Sequence, residues 1–306
     1  MNNRVTATLK AFLVTLLWSS SWLLIRWGLE GLTPLVFASL RYGLATIALW
    51  IVAIAKKQLP DVAAIPRRSR LSLAALGIVY YSLTQAAQFV ALRHIPATHL
   101  TMLLSFSTIA VGLMGGVLLK EWPSWIQWAG AVTYLAAISL FLKPSSLRLN
   151  LNLGYLAAAA CVAGNAASSL LGRAVNKTKR LSSLDVTLLS MTVGTVVLGP
   201  AALAVEGWPS IGVREWVILG WLSIVNTACA FVLWNSALRH LSAMETSVIN
   251  NAMVFEISLL AVVFLGEKLT GMQWAMIATA SAAAFAVQLP RRCPPFRKKS
   301  DRAESN

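Results

Sequence analysis

Ten apolar stretches of about 18 to 24 residues divide nearly the whole chain, and a helix needs about 20 such residues to cross ~30 Å of hydrocarbon. They cover approximately 7–27, 34–55, 71–92, 97–119, 124–142, 153–174, 184–205, 215–238, 243–265 and 269–289. No water reaches the backbone inside a bilayer, so a span is either a helix that closes its own hydrogen bonds or a strand of a closed barrel. The ~10-residue alternating segments of a barrel are absent. The sequence therefore predicts an all-α integral membrane protein with ten transmembrane helices. Composition agrees, since 57% of the 306 residues are hydrophobic and 12% charged, more apolar surface than one soluble core would bury. The first stretch follows a basic start, but its tryptophans, its length and the lack of a small-residue cleavage site mark a retained span rather than a signal peptide.

A formal charge of +15 would suggest nucleic acid in a soluble protein. Here most lysines and arginines sit in the links between spans, where they set topology, and no basic face with interleaved aromatics is left for a nucleic-acid partner. With a cytoplasmic N-terminus, 19 basic residues fall on the cytoplasmic side and five on the other (Arg93, Lys143, Arg148, Arg214, Lys268). The bias puts both termini in the cytoplasm of a plasma (inner) membrane protein. Residues 291–306, RRCPPFRKKSDRAESN, read as a basic cytoplasmic tail without a fold, held near anionic lipid. Three cysteines imply no disulfide framework.

The chain also repeats itself. ALRHIPA (Ala91–Ala97) returns as ALRHLSA (Ala237–Ala243), 146 residues later. At the same offset Leu119 matches Leu265, Glu121 matches Glu267, and Gln127, Trp128, Ala129 and Thr133 match Gln273, Trp274, Ala275 and Thr279. Each copy holds five spans, giving halves 1–146 and 147–290. Five is odd, so the second copy enters the membrane from the opposite side, and the expected fold is two inverted five-helix repeats. Inverted halves allow two related conformations, one open to each side.

The residues resemble a known family. LLWSSSWLLIRWGLEGLTPLVFASLRYGLA (Leu16–Ala45), with its tryptophan in the first span and its Pro34-to-Arg41 spacing in the second, is similar to the opening of EamA-type members of the drug/metabolite transporter superfamily. The ALRH phrase followed by LLKE at Glu121, and again by FLGE at Glu267, resembles the signature around the fourth and ninth helices. Thr108 and Val254 stand where the family commonly has proline, which argues against a kink there, and Lys120 replaces the glycine that Gly266 keeps. The resemblance implies a ten-helix metabolite carrier, often an exporter of amino acids or related compounds. Its central cavity would be lined by helices 1, 3, 4, 6, 8 and 9, with Glu121 and Glu267 in architectural roles.

Polar residues inside spans single out the candidate pathway. Glu256 lies midway through the ninth span, where an ionised carboxylate costs about 2.5–3.5 kcal/mol. Two readings are open: a proton-coupling or substrate-amine site, or a protonated acid bonded to a neighbouring helix. Arg41 is close enough to a helix end to snorkel or to pair with Glu30, and reads as architectural, with substrate-carboxylate binding the minority view. Tyr81, Thr84, Gln85 and Gln88 fall within about 100° of one helical face, and either line a solvated path or zip two helices together. Thr101 and Ser105 form a weaker stripe in the fourth span. Trp18, Ser21 and Trp22 share a face of the first, where a tryptophan can stack on an apolar or aromatic substrate. Asn165, equivalent to Ser19, together with Asn226, Asn250 and Asn251, completes the set.

No HExxH metal motif, nucleophile elbow, paired aspartates or ATP motif appears, which argues against a membrane enzyme and calls for no metal or cofactor. A sensor or scaffold would not need polar stripes facing inward in several helices. The expected function is a secondary transporter moving a small molecule across the bilayer by alternating access, with aromatic or apolar amino acids as candidate cargo.

Overall fold

The computed structural model describes residues 3–120, 122–125, 128–133, 136, 153–178, 181–250, 252–265, 269–272, 274–275 and 277–279. Glu121, Asn251, Glu267, most of the fifth and tenth expected spans and the tail 291–306 lie outside the described residues. Every regular element among the described residues is helical. The helices are α1 (Asn3–Gly28), α2 (Pro34–Ala55), α3 (Arg67–His94), α4 (Ala97–Ser105), α5 (Ser107–Leu119), α6 (Leu153–Lys177), α7 (Ser183–Glu206), α8 (Val213–Leu238), α9 (Ala243–Asn250) and α10 (Met253–Leu265). Seven stretches are long and apolar enough to cross a membrane, α4 and α5 counting together as His99–Leu119, and an eighth, Val248–Phe264, is shorter.

Local sequence sets the ends of these helices. Pro34 starts α2, where its missing N–H would be unpaired anyway. Ser182 and Asp185 form a reciprocal capping box at the head of α7, and Ser242 with Glu245 repeats it at α9. On α1 the exposed Val5, Leu9, Leu13 and Leu16 form one apolar outer stripe, while Ala7, Ala11, Val14, Trp18, Trp22 and Ile25 are buried against the bundle. A large apolar exterior is what lipid solvates.

Interhelical contacts fix the directions. Val36 of α2 donates its N–H to Glu206 of α7 at 2.9 Å, Thr46 meets Thr195 at 3.1 Å, and the Trp50 indole reaches Thr192 at 3.1 Å, so α2 and α7 run antiparallel. In the same way α4 packs on α10 and α5 on α9, making the fourth and ninth spans antiparallel. Further interfaces come in reciprocal pairs at the 146-residue offset: α1 with α8 and α6 with α3, α1 with α10 and α6 with α5, α2 with α8 and α7 with α3. The head of α1 is tied to α9 by the Arg4–Glu245 ion pair. At the other face Glu30, after α1, pairs with Arg214 of α8 at 3.0 Å. That pairing takes Glu30 away from Arg41, contrary to the sequence expectation, because Arg41 faces the interior and is 3% exposed.

Departures from the α-helix fall at matched places. Residues Gly77–Thr84 of α3 and Ile224–Cys229 of α8 are π-helical, and 77–84 maps onto 223–230 at the 146-residue offset. The α-helix is interrupted at Phe106 in the fourth expected span and at Ala252 in the ninth, again 146 residues apart. Neither interruption has a proline. The N–H of Phe106 bonds Leu103 and that of Ala252 bonds Ile249, tight i to i−3 turns that interrupt the ladder.

The π turn of α3 lies flush on α7. A Cβ on Gly77 would run into the Ser190 carbonyl, and one on Gly194 would sit 2.5 Å from the Tyr81 Cβ. A Gly77→Ala substitution is expected to lower stability by ~1–3 kcal/mol, the cost of overpacking a close contact. Gly220→Ala, with open space around its Cβ, is expected to be neutral or slightly stabilising. Thermal unfolding of the two variants in detergent checks both outcomes.

Candidate functional site

Two cavities lie along the middle of the bundle. The first, toward the face that carries the α1–α2 link, is lined by Trp18, Ser21, Trp22 and Ile25 of α1, Arg41 and Tyr42 of α2, and Tyr80, Gln85 and Gln88 of α3. Thr101, Leu104 and Ser105 of α4, Asn165 of α6, Phe231 of α8, Asn250 of α9 and Met253 of α10 complete it. The second lies toward the N-terminal face and adds Leu76, Tyr81, Ser107, Ser168, Ser169, Gly172, Trp234, Asn235 and Leu238. Trp18, Tyr80, Asn165, Phe231 and Asn250 belong to both. The shared aromatics pack on one another, Trp18 against Phe231 at 5.0 Å and Tyr80 against Phe231 at 5.5 Å between ring centroids. They form a partition one side chain thick between the two chambers.

The partition is held in place from both sides. Trp18 also meets Trp234 at 5.0 Å, and Phe231 meets Tyr81 at 5.1 Å. Below it, Asn176 donates to Asn235 Oδ1 at 2.7 Å and Asn235 donates to Thr187 at 2.9 Å, a buried polar chain joining α6, α8 and α7. The π turn of α8 clasps α1: the Asn226 amide donates to the Leu17 carbonyl at 2.5 Å and approaches Ser20 and Ser21 at 3.0 and 2.9 Å.

Arg41 meets the same π turn from α2. Its Nε donates to Thr227 Oγ1 at 2.7 Å, one terminal nitrogen reaches the Asn226 carbonyl at 3.4 Å, and the guanidinium carbon lies 5.5 Å from the Tyr42 ring centre. Among the described residues no carboxylate pairs with it. Glu256 of α10 faces α1 instead: Ser19 donates to one carboxyl oxygen at 2.6 Å and Thr15 lies 3.1 Å from the other. No group of three or more His, Cys, Asp or Glu side chains that could hold a metal occurs among the described residues.

Nine of the expected pathway residues therefore meet around the first cavity: Trp18, Ser21, Trp22, Gln85, Gln88, Thr101, Ser105, Asn165 and Asn250. Tyr81 turns to the second. Thr84 packs against α6, where a Cβ on Gly164 would strike its hydroxyl, and lines neither chamber. Asn226 holds α1 rather than facing a cavity. Arg41, expected as architectural, both braces α8 and lines the first chamber.

The sequence profile of the EamA-like transporter family matches residues 5–143 and 152–288. The chain belongs to the EamA-like transporter family. Relatives include the S-adenosylmethionine/S-adenosylhomocysteine transporter of Chlamydia trachomatis serovar L2, 23% identical over 269 residues, 84% of this chain and 81% of its own. A probable terminal-alkyne amino-acid exporter of Streptantibioticus cattleyicolor is 29% identical over 262 residues, 83% of this chain and 84% of its own. A solved crystal structure shares the fold at a TM-score of 0.76, covering 94% of this chain and 99% of that one at 22% identity. This is a multi-pass membrane transporter and not an enzyme.

Sequence reasoning missed Tyr42, Tyr80 and Phe231 as lining residues of the transporter. The α-helical period put Tyr81 and Thr84 on the inner face, but a π turn advances about one more residue per turn, which brings Tyr80 into line with Gln85, five positions on. Phe231 carried a usable signal, since it stands 146 residues after Gln85. In a background lacking the native cysteines, a cysteine at Gln88 is expected to react with a water-soluble thiol reagent. One at Thr84 is expected to stay protected against Gly164. Mass spectrometry of the labelled protein in liposomes distinguishes them.

Proposed function

We propose that the transporter is a ten-helix secondary carrier made of two inverted five-helix repeats, residues 1–146 and 147–290, that exports small metabolites such as apolar or aromatic amino acids. Substrate passes through the central chambers by alternating access. The observation that carries this reading is the pair of cavities stacked on opposite sides of one aromatic partition. A single chamber would suit a binding protein. Two chambers separated by Trp18, Tyr80 and Phe231 need only a repacking of rings to pass a ligand from one to the other. The antiparallel pairing of α2 with α7, the reciprocal interfaces and the matched helix defects support the inverted repeat. The amino-acid exporter among the relatives supports the choice of cargo. The N-terminal face, which also bears the link 56–66, the end of α6 and the start of α7, is the more basic and is assigned to the cytoplasm, with both termini.

Glu256 is the proton-coupling residue in this scheme. A carboxylate accepts from Ser19. A protonated carboxyl donates to Thr15, whose own hydrogen is already given to the Phe12 carbonyl at 2.7 Å. The α1 surface thus suits both protonation states, which a group that takes up and releases a proton requires.

Proteoliposomes are expected to exchange radiolabelled phenylalanine or leucine in a saturable way. Rates equal to those of protein-free vesicles for a whole panel of apolar and aromatic amino acids would remove the cargo assignment. Glu256→Gln is expected to reduce uptake driven by a proton gradient about 5- to 150-fold, the usual span of coupling between linked sites, while solute exchange without a gradient continues. An unaltered response to the gradient would exclude Glu256 from coupling.

A further inference from the structure

We infer that Arg41 is a receptor for the carboxylate of the substrate, so that the first chamber takes amphiphilic monocarboxylates, bodies that are apolar or aromatic and carry a single negative charge. The inference deepens the carrier reading and rests on that chamber being the transport site. Arg41 is 3% exposed, lines the cavity, and is the sole charged side chain among its described lining residues. A guanidinium has five N–H donors and stays charged in proteins. The described partners of this one are a threonine hydroxyl, a backbone carbonyl and the face of Tyr42, all neutral. One terminal nitrogen has no acceptor among the described residues.

A buried charge is expensive unless an opposite charge meets it. The obvious intramolecular partner is taken, since Glu30 pairs with Arg214. Holding up the π turn of α8 does not explain the charge either, because Thr227 already satisfies the Leu222 carbonyl at 2.7 Å and a neutral donor would serve Thr227 equally well. An anion entering the chamber supplies what the protein omits. The forked donor pair fits a planar carboxylate, and one cation balances one negative charge.

The remaining wall agrees. Trp18, Trp22, Tyr42 and Phe231 offer aromatic surface to the body of the ligand. No acidic side chain lines the chamber among the described residues, so a substrate ammonium is tolerated by ring faces and amide oxygens without being required. The carboxylate is the recognised group and the amine is incidental.

Four probes separate these terms: L-phenylalanine, 3-phenylpropionate, phenethylamine and L-phenylalaninamide, titrated onto the purified full-length protein with tryptophan fluorescence as the readout. The two carboxylates are expected to bind, and the two compounds without a carboxylate to bind about 30-fold more weakly or worse, as for loss of one partner of a buried charge pair. Arg41→Gln is expected to erase the preference, and Arg41→Lys to keep part of it. Equal binding of all four by the unmodified protein, no binding of either carboxylate, or a preference that survives Arg41→Gln would each overturn the inference. The comparison of probes on the unmodified protein decides the matter even where the glutamine variant does not fold. Carboxylate preference without solute exchange in vesicles would sink the carrier reading and leave the anion site standing. Exchange without the preference would do the reverse.

Discussion

A backbone carbonyl released inside hydrocarbon must receive a donor from the protein, because no water is there to supply one. The arrangement at the centre of this bundle follows from that constraint. Each π turn disturbs the i to i−4 ladder, and each repairs it with a threonine reaching five residues back, Thr84 to the Val79 carbonyl at 2.6 Å and Thr227 to that of Leu222 at 2.7 Å. Around the α8 turn the repair extends to neighbouring helices, with Arg41 donating to Thr227 and Asn226 donating to the Leu17 carbonyl of α1. The chambers open beside these turns, since that is where polar side chains already have a reason to point inward.

The lipid-facing half of the structure was legible in the sequence because hydropathy and span length answer directly to the bilayer. The repeated ALRH phrase has the same 146-residue offset at which several helix interfaces pair. The inner face was legible only where the α-helical period holds. Trp18, Ser21 and Trp22 on the regular α1 came out on one wall, whereas on α3 Tyr80 lines both chambers, Tyr81 only the second and Thr84 neither. Nothing in GIVYYSLT marks a π turn, and the close approach of Gly77 to Ser190 of α7 that accompanies it is a long-range contact. The interruptions at Phe106 and Ala252 were hidden for a similar reason: proline is the strong local signal for a break, and these turns are made without it.

Residues related by the 146-residue offset do not share their chemistry. At the 146-residue offset Arg41 stands against Thr187, Trp18 against Gly164, Tyr80 against Asn226, and Gln85 against Phe231. The aromatic partition draws Trp18 and Tyr80 from the first half and Phe231 from the second, so no ring of it has an aromatic counterpart in the other half.

Glu256 sharpens the asymmetry, because its counterpart is Ala110. The seam between α1 and α10 is closed by a carboxyl group held between Ser19 and Thr15. The reciprocal seam between α6 and α5 is closed by Ala110 and Val111 against Ala166 and Leu170. In a membrane, apolar helix surfaces separate with little penalty since lipid tails replace the lost contacts, but a polar pair that separates leaves unsatisfied groups in hydrocarbon. Opening at α6 and α5 therefore costs mainly packing. Opening at α1 and α10 requires the carboxyl group to find new partners, and neutralising it by a proton lowers that cost. In the proposed carrier the two seams are therefore unequal doors, and Glu256, with alanine at the matching position, sets the difference.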